Sequence, residues 1–302
     1  MSNYSEETFG HWQRPASESE EQRISNAISM IRAAINESEE LKSKNIEVFV
    51  QGSYANNTNV RAESDIDICV MLKDTFYTEY PDNLSDKDYG FTEGANDFTT
   101  FRQNVYNALV SKFGVENITN GNKSIKIDSN SYRVDADAVP SFQYRNYRYS
   151  GSKDPEIFKE GVKFFSNDGA TVINYPKIHI ENGMLKNTNT QRRYKRLTRI
   201  LKRIRYKMIE DGVPVNDGIT SFLIECLVWN IPNSIFNNYD SWNDRIKQAI
   251  IYLYNQTKDE NKCKGWGEVS EMLYLFHSGR KWNSNMVNGY LVQLWNFLGY
   301  KS

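Results

Sequence analysis

Hydrophobic positions in the first half of the chain follow two different periods. One run repeats apolar residues every three or four positions and so predicts a helix with one buried face. The residues of this run are Ile24, Ala27, Ile28, Ile31 and Ile35. A later run places apolar residues at every second position, which predicts a strand. Its members are Ile66, Ile68, Val70 and Leu72. This half therefore mixes helices and strands.

The pattern changes after Pro140. Strand-like alternation mostly ends there, and helical periodicity dominates from about Gln191. We place a boundary near residue 150, in the run Tyr149-Ser150-Gly151-Ser152. The sequence thus predicts an α/β (α+β) protein of two lobes. Residues 1–150 would form a small mixed sheet with an N-terminal helix, and residues 151–302 a helical lobe.

Two acidic residues lie in the alternating strand. Asp65 and Asp67 are two positions apart, so their side chains point to one face, roughly 6.5–7 Å apart along the strand. Carboxylates this close repel each other unless a cation lies between them. Mg²⁺ takes oxygen ligands and usually keeps substrate phosphates as further ligands. Upstream, Gly52 permits a close approach, and Ser53 offers a hydroxyl and a backbone N–H to a triphosphate. This combination predicts a nucleotidyl-transfer site.

A third acid would complete a site for two ions. Residues 132–139 predict a strand that ends at Pro140, because proline cannot continue a central ladder. Asp135 and Asp137 share one face of that strand. In a two-metal site the ions lie about 3.5–4 Å apart and stabilise the attacking and the leaving oxygen. The structural alternative is that Asp65 and Asp67 belong to a turn after Ser64.

Several segments together resemble one enzyme family. They are VQGSYANNTNV (50–60), SDIDICVML (64–72), GNKSIKI (121–127), VDADAVP (134–140), INYPKIHIENGMLKN (173–187) and FLIECLVWNIP (222–232). Over nearly its whole length the chain is similar to cGAS/DncV-like nucleotidyltransferases (CD-NTases) of bacterial anti-phage (CBASS) signalling, within the polymerase-β-like superfamily. The run from 173 to 187 resembles the CdnE-type clade. This implies a synthase that joins NTPs, such as ATP or UTP, into a cyclic dinucleotide or oligonucleotide for a downstream effector.

The resemblance also assigns the metal ligands. Its Asp-x-x-Pro arrangement selects Asp137 rather than Asp135 as the third acid. Asp65, Asp67 and Asp137 would then be the catalytic residues and would hold two Mg²⁺ ions, which Mn²⁺ could replace. The lobe over residues 1–150 becomes the catalytic core, and the helical lobe is expected to close the nucleotide cleft.

Further residues are assigned to the nucleotide. Lys202 and Ser221 match positions that grip the β- and γ-phosphates in the superfamily. In CdnE-type enzymes an asparagine reads uracil, and Asn174 or Asn167 could correspond to it; an asparagine before proline is equally a turn residue. Gln51 precedes the phosphate turn and is expected to satisfy its backbone groups.

A dense run of positive charge lies between residues 191 and 207. Its members are Arg192, Arg193, Lys195, Arg196, Arg199, Lys202, Arg203, Arg205 and Lys207, with no acid among them. An apolar helical stripe accompanies them, namely Leu197, Ile200, Leu201, Ile204 and Met208. Like charges at this density repel and indicate an anionic partner nearby. The alternatives are a lysine that binds phosphate, an RNA activator, and a solvated helix face.

Composition excludes several classes of protein. The 302 residues carry 37 Lys and Arg against 38 Asp and Glu, so the whole chain is not a polycation for nucleic acid. Three distant cysteines, without a C-x-x-C motif, indicate reduced thiols rather than a disulfide frame or zinc site. With no signal segment and no long apolar run, we expect a soluble, cytoplasmic monomer with no membrane partner.

Two rival functions remain at this point. The same motifs serve tRNA or small-molecule nucleotidyltransferases, which modify an acceptor and yield no cyclic product. The chain could also be an RNA-sensing module whose catalytic pocket is vestigial. Three intact acids argue against the second rival, because unpaired carboxylates are costly to keep together.

Overall fold

The computed structural model describes residues 2–15, 18–60 and 65–300. The helices are α1 (Glu6–Trp12), α2 (Glu18–Glu37), α3 (Gly52–Ala55), α4 (Phe98–Phe113), α5 (Pro176–Asn189), α6 (Arg193–Glu210), α7 (Ser221–Trp229), α8 (Asn233–Asn237), α9 (Trp242–Thr257), α10 (Glu260–Cys263) and α11 (Ser284–Phe297). The strands are β1 (Ile46–Gln51), β2 (Ile66–Glu79), β3 (Ile118–Asn120), β4 (Ile125–Ile127), β5 (Ala136–Asn146), β6 (Lys159–Phe165) and β7 (Thr171–Asn174). The mixture confirms the predicted fold class.

The chain divides into two compact units. The sheet unit comprises residues 17–55 and 61–178, and the helical unit comprises residues 1–16, 56–60 and 179–302. The boundary predicted near residue 150 therefore lies elsewhere. Strand β6 pairs with β5 and β7 pairs with β6, so the residues after 150 extend the sheet instead of opening the helical lobe.

The sheet unit is built on a mixed sheet in the order β1-β2-β5-β4-β3. Strands β2 and β5 run parallel, whereas β1–β2, β4–β5 and β5–β6 are antiparallel. The predicted alternating residues of β2 are fully buried, and the apolar faces of α2 and α4 belong to the same core. Both the helical stripe of α2 and the strand pattern of β2 are thus confirmed.

Pro140 does not end its strand. Strand β5 runs on to Asn146, and Pro140 is in register with Val70 of β2. On the other edge of β5, strand β4 pairs only up to Ala138 and β6 pairs only from Phe142. The missing N–H of the proline falls in this gap between two partners, so no ladder hydrogen bond is lost there.

The helical unit has its own core, formed mainly by α6, α7, α9 and α11. The five apolar residues predicted as the stripe of α6 are all buried in it. The three cysteines, each within the described ranges, are buried free thiols. Among the helices of residues 2–15, 18–60 and 65–300, none combines the length and the apolar character needed to cross a bilayer.

Candidate active site

Four polar side chains form a row across the sheet. Gln51 of β1 is in register with Asp67 of β2, and Asp67 is in register with Asp137 of β5. Asp137 is in turn opposite Lys126 of β4. Residues directly paired on neighbouring strands present their side chains to the same face. The row therefore brings together Asp67 and Asp137, which are distant in sequence, and Asp65 lies two positions before Asp67.

Burial and repulsion both act on the central carboxylate of this row. Burial, together with the neighbouring charges of Asp137 and Asp65, raises the pKa of Asp67 to about 7. Burial also raises the pKa of Asp137, although a hydrogen bond from the Ser124 hydroxyl, 3.0 Å from Asp137 Oδ1, opposes this. An acidic oxygen cluster that resists ionisation would be stabilised by a hard cation such as Mg²⁺. Asp67 and Asp137 thus supply oxygen donors of the kind that Mg²⁺ prefers.

Lys126 is a site residue that the sequence analysis missed. Its Nζ lies 3.5 Å from Asp65 Oδ2, and both side chains are partly exposed. Within the described ranges, no group of three or more His, Cys, Asp or Glu side chains lies close enough together to hold one metal ion. The signal for Lys126 was its place between buried Ile125 and Ile127 in a strand that pairs with the acidic strand.

Asp135, the alternative third acid, has a different role. Its Oδ1 accepts a hydrogen bond from the backbone N–H of Ser129 at 2.5 Å. It lies just before the first residue of β5, where its backbone carbonyl accepts from the N–H of Ile66 at 3.0 Å. Its carboxylate thus stabilises the loop before β5, whereas Asp137 lies in the row.

The phosphate turn is tied to Asp67 by sterics. Gly52 follows β1 directly and has φ +69°, a left-handed conformation that favours glycine. A Cβ at this position would overlap Oδ2 of Asp67. Ser53 is half-buried in α3, and its hydroxyl has no hydrogen-bond partner among the described residues. The turn and the central acid are therefore in contact, as required if both serve one site.

The raised pKa of Asp67 predicts a pH-dependent stability of the metal-free protein. A carboxylate whose pKa is about 7 when folded and 3.8 ordinarily stabilises the folded state at low pH, and this stabilisation is lost as the pH rises towards 7. Asp67→Asn should therefore raise the free energy of unfolding, by on the order of 1–3 kcal/mol at pH 8 and by less at pH 5. Urea unfolding in EDTA at both pH values measures this difference. Equal gains at both would contradict it.

Lys202 is not available to a phosphate. Its side chain is 2% exposed, and its Nζ donates to Glu225 Oε2 at 2.6 Å, Thr58 Oγ1 at 3.0 Å and Thr58 O at 3.2 Å. An ammonium has three donors, and these acceptors use all of them. The predicted contact between Lys202 and the triphosphate is therefore not supported. Lys202 lies on a helix, as the family similarity implies, but its side chain points into the interior of the helical unit.

Glu225 explains why that lysine is buried. Burial would raise the pKa of Glu225, but the charge of Lys202 and a contact with His179 Nε2, 3.1 Å from Oε1, lower it below its ordinary value. Thr58, Lys202, Glu225 and His179 thus form one polar cluster inside the helical unit. Ser221 lies outside it, with its hydroxyl 2.9 Å from that of Tyr206. Its proposed contact with phosphate stays a prediction.

Most of the basic segment is also accounted for within the helical unit. Arg199 donates to the carbonyl of Gln13 at 2.6 Å and to that of Asn57, and Arg203 donates to the carbonyl of His11 at 3.0 Å. Helix C-termini leave such carbonyls without partners, and arginine supplies donors for them. The basic residues of this segment whose charged groups have no hydrogen-bond or ion-pair partner among the described residues are Arg192, Lys195 and Arg196. The segment is therefore largely structural.

The two candidate base-reading asparagines differ in their surroundings. Asn167 donates from Nδ2 to Gly121 O, and its N–H donates to Asn122 O, each at 2.9 Å. The same turn carries Ser124, whose hydroxyl contacts Asp137. Asn174 instead lies on β7 in register with Val162, two strands away from β5. The contacts link Asn167 to the acidic row.

Two family models match the chain. That of the Second Messenger Oligonucleotide or Dinucleotide Synthetase domain matches residues 15–156, and that of the cGAS/DncV-like nucleotidyltransferase C-terminal helical domain matches residues 181–299. The cyclic dipyrimidine nucleotide synthase CdnE of Cecembia lonarensis is 51% identical over 300 residues, covering 99% of this chain and 100% of that protein. The chain belongs to the cGAS/DncV-like nucleotidyltransferase family.

Other relatives agree with this assignment. The protein of Legionella pneumophila that is also named cyclic dipyrimidine nucleotide synthase CdnE is 38% identical over 97% of both chains. The structure of the Rhodothermus marinus CdnE c-UMP-AMP synthase with Apcpp and Upnpp has a TM-score of 0.85 at 28% identity, covering 99% of both chains. The family and the CdnE-type resemblance are thus confirmed, and this CD-NTase is an enzyme, a nucleotidyltransferase.

Proposed function

We propose that this CD-NTase joins two NTPs, at least one of them a pyrimidine nucleotide, into a cyclic dinucleotide with release of pyrophosphate. The observation that carries the proposal is the in-register pair Asp67 and Asp137 on neighbouring strands, with Asp65 two residues before the first. Three carboxylates on one face suit two Mg²⁺ ions, held by Asp65, Asp67 and Asp137. Bound there, the ions would neutralise phosphate charge and lower the pKa of the attacking hydroxyl.

The chain's own residues act by positioning. Gly52 lets the backbone approach the triphosphate, and Ser53 offers a hydroxyl that has no hydrogen-bond partner in the described part of the chain. The hydroxyl of one nucleotide then attacks the α-phosphorus of the other, the new P–O bond forms as the bond to pyrophosphate breaks, and a second attack closes the ring. Holding the reactants in line accounts for much of the rate enhancement in such transfers.

The preference for a pyrimidine rests on Asn167 and on the relatives. The carboxamide of Asn167 uses its Nδ2 on Gly121, while its Oδ1 has no partner among the described residues and can accept from a base N–H. The relatives at 51% and 38% identity are named cyclic dipyrimidine nucleotide synthases. We therefore propose Asn167, rather than Asn174, as the residue that faces the base, with uridine in the product.

We further propose that the product is a second messenger for an effector in anti-phage defence, as the family resemblance implies. The structure gives an RNA activator little support, because most cations of the basic segment already have partners among the described residues. Arg192, Lys195 and Arg196 are the surface to test for it.

A product assay tests the function. The protein is incubated with each pair of the four NTPs and Mg²⁺, and phosphatase-resistant products are analysed by mass spectrometry. A cyclic mass that contains a pyrimidine supports the proposal. A labelled acceptor with no cyclic product would favour an RNA or small-molecule nucleotidyltransferase, and no turnover would favour a binding module. Digestion with linkage-selective nucleases then gives the bond type.

Substitution of Gly52 tests the contact between the phosphate turn and the acidic row. Gly52→Ala introduces a Cβ that overlaps Asp67 Oδ2, so we expect kcat/KM to fall at least about tenfold, equivalent to about 1.4 kcal/mol. Gly90→Ala is the matched control, because Gly90 also has a positive φ of +72° but nothing within 4 Å of an added Cβ. The control should cost about 1 kcal/mol of stability and no activity. Equal activity in both variants would contradict the steric role.

A further inference from the structure

The row of carboxylates ends on a cation. Lys126 is opposite Asp137 in the β4–β5 pair, and its Nζ lies 3.5 Å from Oδ2 of Asp65, the acid two residues before Asp67. Its side chain is 42% exposed and that of Asp65 is 35% exposed, so neither group is locked in a buried ion pair. In the part of the chain that the structure describes, Lys126 is the cation that forms an ion pair with this cluster.

This arrangement differs from that of Lys202 in the helical unit. The ammonium of Lys202 is buried and has three acceptors, which makes it a fixed structural group. Lys126 has one ion-pair partner among the described residues, a flexible stem and access to solvent. A lysine of this kind can leave its carboxylate at little cost, since partly exposed ion pairs contribute little stability.

We propose that Lys126 is an internal counter-ion that competes with the metal for Asp65 and thereby couples metal binding to nucleotide binding. The inference rests on the proposed function. Without nucleotide, the ammonium neutralises part of the acidic cluster and lowers the affinity for a bare divalent ion. When the ion binds together with a triphosphate, Lys126 can leave Asp65 and pair with a phosphate oxygen. Its positive charge then still has a partner. Lys126 thus disfavours metal alone and favours metal with substrate.

Manganese titration of the nucleotide-free protein, followed by electron paramagnetic resonance, tests this role. Lys126→Gln should bind Mn²⁺ about threefold to tenfold more tightly than wild type, because the competing charge is absent. Lys126→Arg, which keeps the charge, should stay near wild type. Lys123→Gln is the matched control, since Lys123 is exposed on the turn between β3 and β4 and has no ion-pair partner among the described residues. Unchanged or weaker Mn²⁺ binding in Lys126→Gln, or an equal gain in Lys123→Gln, would overturn the proposal.

A second titration measures the coupling. A non-hydrolysable UTP analogue should tighten Mn²⁺ binding in wild type by a larger factor than in Lys126→Gln, and an equal factor would overturn the coupling. The metal-free Lys126→Gln protein should also melt at a lower temperature than wild type at low ionic strength, with the difference reduced in 1 M salt. This readout does not depend on activity.

Failure of the counter-ion role can be told apart from failure of the proposed function. If wild type binds Mn²⁺, makes a cyclic product and loses both in Asp67→Asn, the function stands whatever Lys126→Gln shows. If wild type neither binds Mn²⁺ nor forms product, the acidic row is not a nucleotidyl-transfer site and both proposals fall.

Discussion

Asp67→Asn is expected to reduce cyclic product formation by at least about a thousandfold. Asp67 is the central carboxylate of the row, flanked by Asp137 across the sheet and by Asp65 along the chain. A metal ion contributes several kcal/mol of transition-state stabilisation, and each 1.36 kcal/mol is a factor of ten in rate. Asparagine keeps the shape of the side chain but removes the charge that would hold a metal ion there. Product yield under saturating NTP and Mg²⁺, measured by mass spectrometry, gives the effect.

A neighbouring acid supplies the control for this prediction. Asp135→Asn should keep activity within about a few-fold of wild type, because Asp135 accepts from the backbone of Ser129 and lies outside the row. Asp137→Asn should lose activity as Asp67→Asn does. If Asp135→Asn were inactive and Asp137→Asn active, the third ligand would be Asp135, and the choice made by family similarity would be wrong. Near-normal turnover of Asp67→Asn would refute the site itself.

Lys202→Met should reduce the free energy of unfolding of the helical unit by about 3–5 kcal/mol. The substitution removes the ammonium from Glu225, which is 4% exposed, and leaves that carboxylate buried with the hydroxyl of Thr58 and the ring of His179 as its remaining polar neighbours. A buried charge without its partner is far more costly than the pair was favourable. The shift in the midpoint of urea unfolding, followed by circular dichroism because the unit is helical, measures the loss.

Two further variants separate this effect from a general loss of positive charge. Lys202→Met combined with Glu225→Gln should recover part of the stability, because no buried charge is then left unpaired. Lys207→Met removes a partly exposed lysine that pairs with Asp211 at 2.8 Å and should leave the midpoint of urea unfolding nearly unchanged. If Lys202→Met unfolds like wild type but raises the KM for NTP tenfold or more, Lys202 contacts the phosphates after all.

The contrast between Lys202 and Lys126 shows why charge alone does not identify a site. Both lysines lie in regular elements, and each is near an acid. Lys202 belongs to a dense basic segment that suggests an anionic partner, yet its three N–H donors are used by Glu225 and Thr58. Lys126 is an inconspicuous residue in a three-residue strand, yet it lies at the end of the acidic row. The two lysines differ because α6 turns Lys202 into the interior of the helical unit, whereas β4 presents Lys126 on the face of the sheet that carries Asp137.

The sequence by itself determined the local elements and the chemistry of the acidic segment. Helical spacing in α2 and α6 and alternation in β2 are consequences of burying one face, and the structure confirms all three. Motif similarity led to the family, which the comparisons confirm, and to the choice of Asp137 over Asp135, which stays a prediction. The inference of the family succeeds because it depends on residues close together in the chain.

Only the tertiary structure decided which distant residues meet. The register of β2, β5 and β4 places Asp67, Asp137 and Lys126 in one row, and no periodicity within a strand specifies its partners. The continuation of β5 through Pro140 depends on where β4 ends and β6 begins, and the extent of the sheet unit depends on β6 and β7 pairing back onto β5. Whether a lysine is a structural ion pair or a mobile counter-ion is likewise set by burial and by the number of acceptors around it, which are properties of the folded chain.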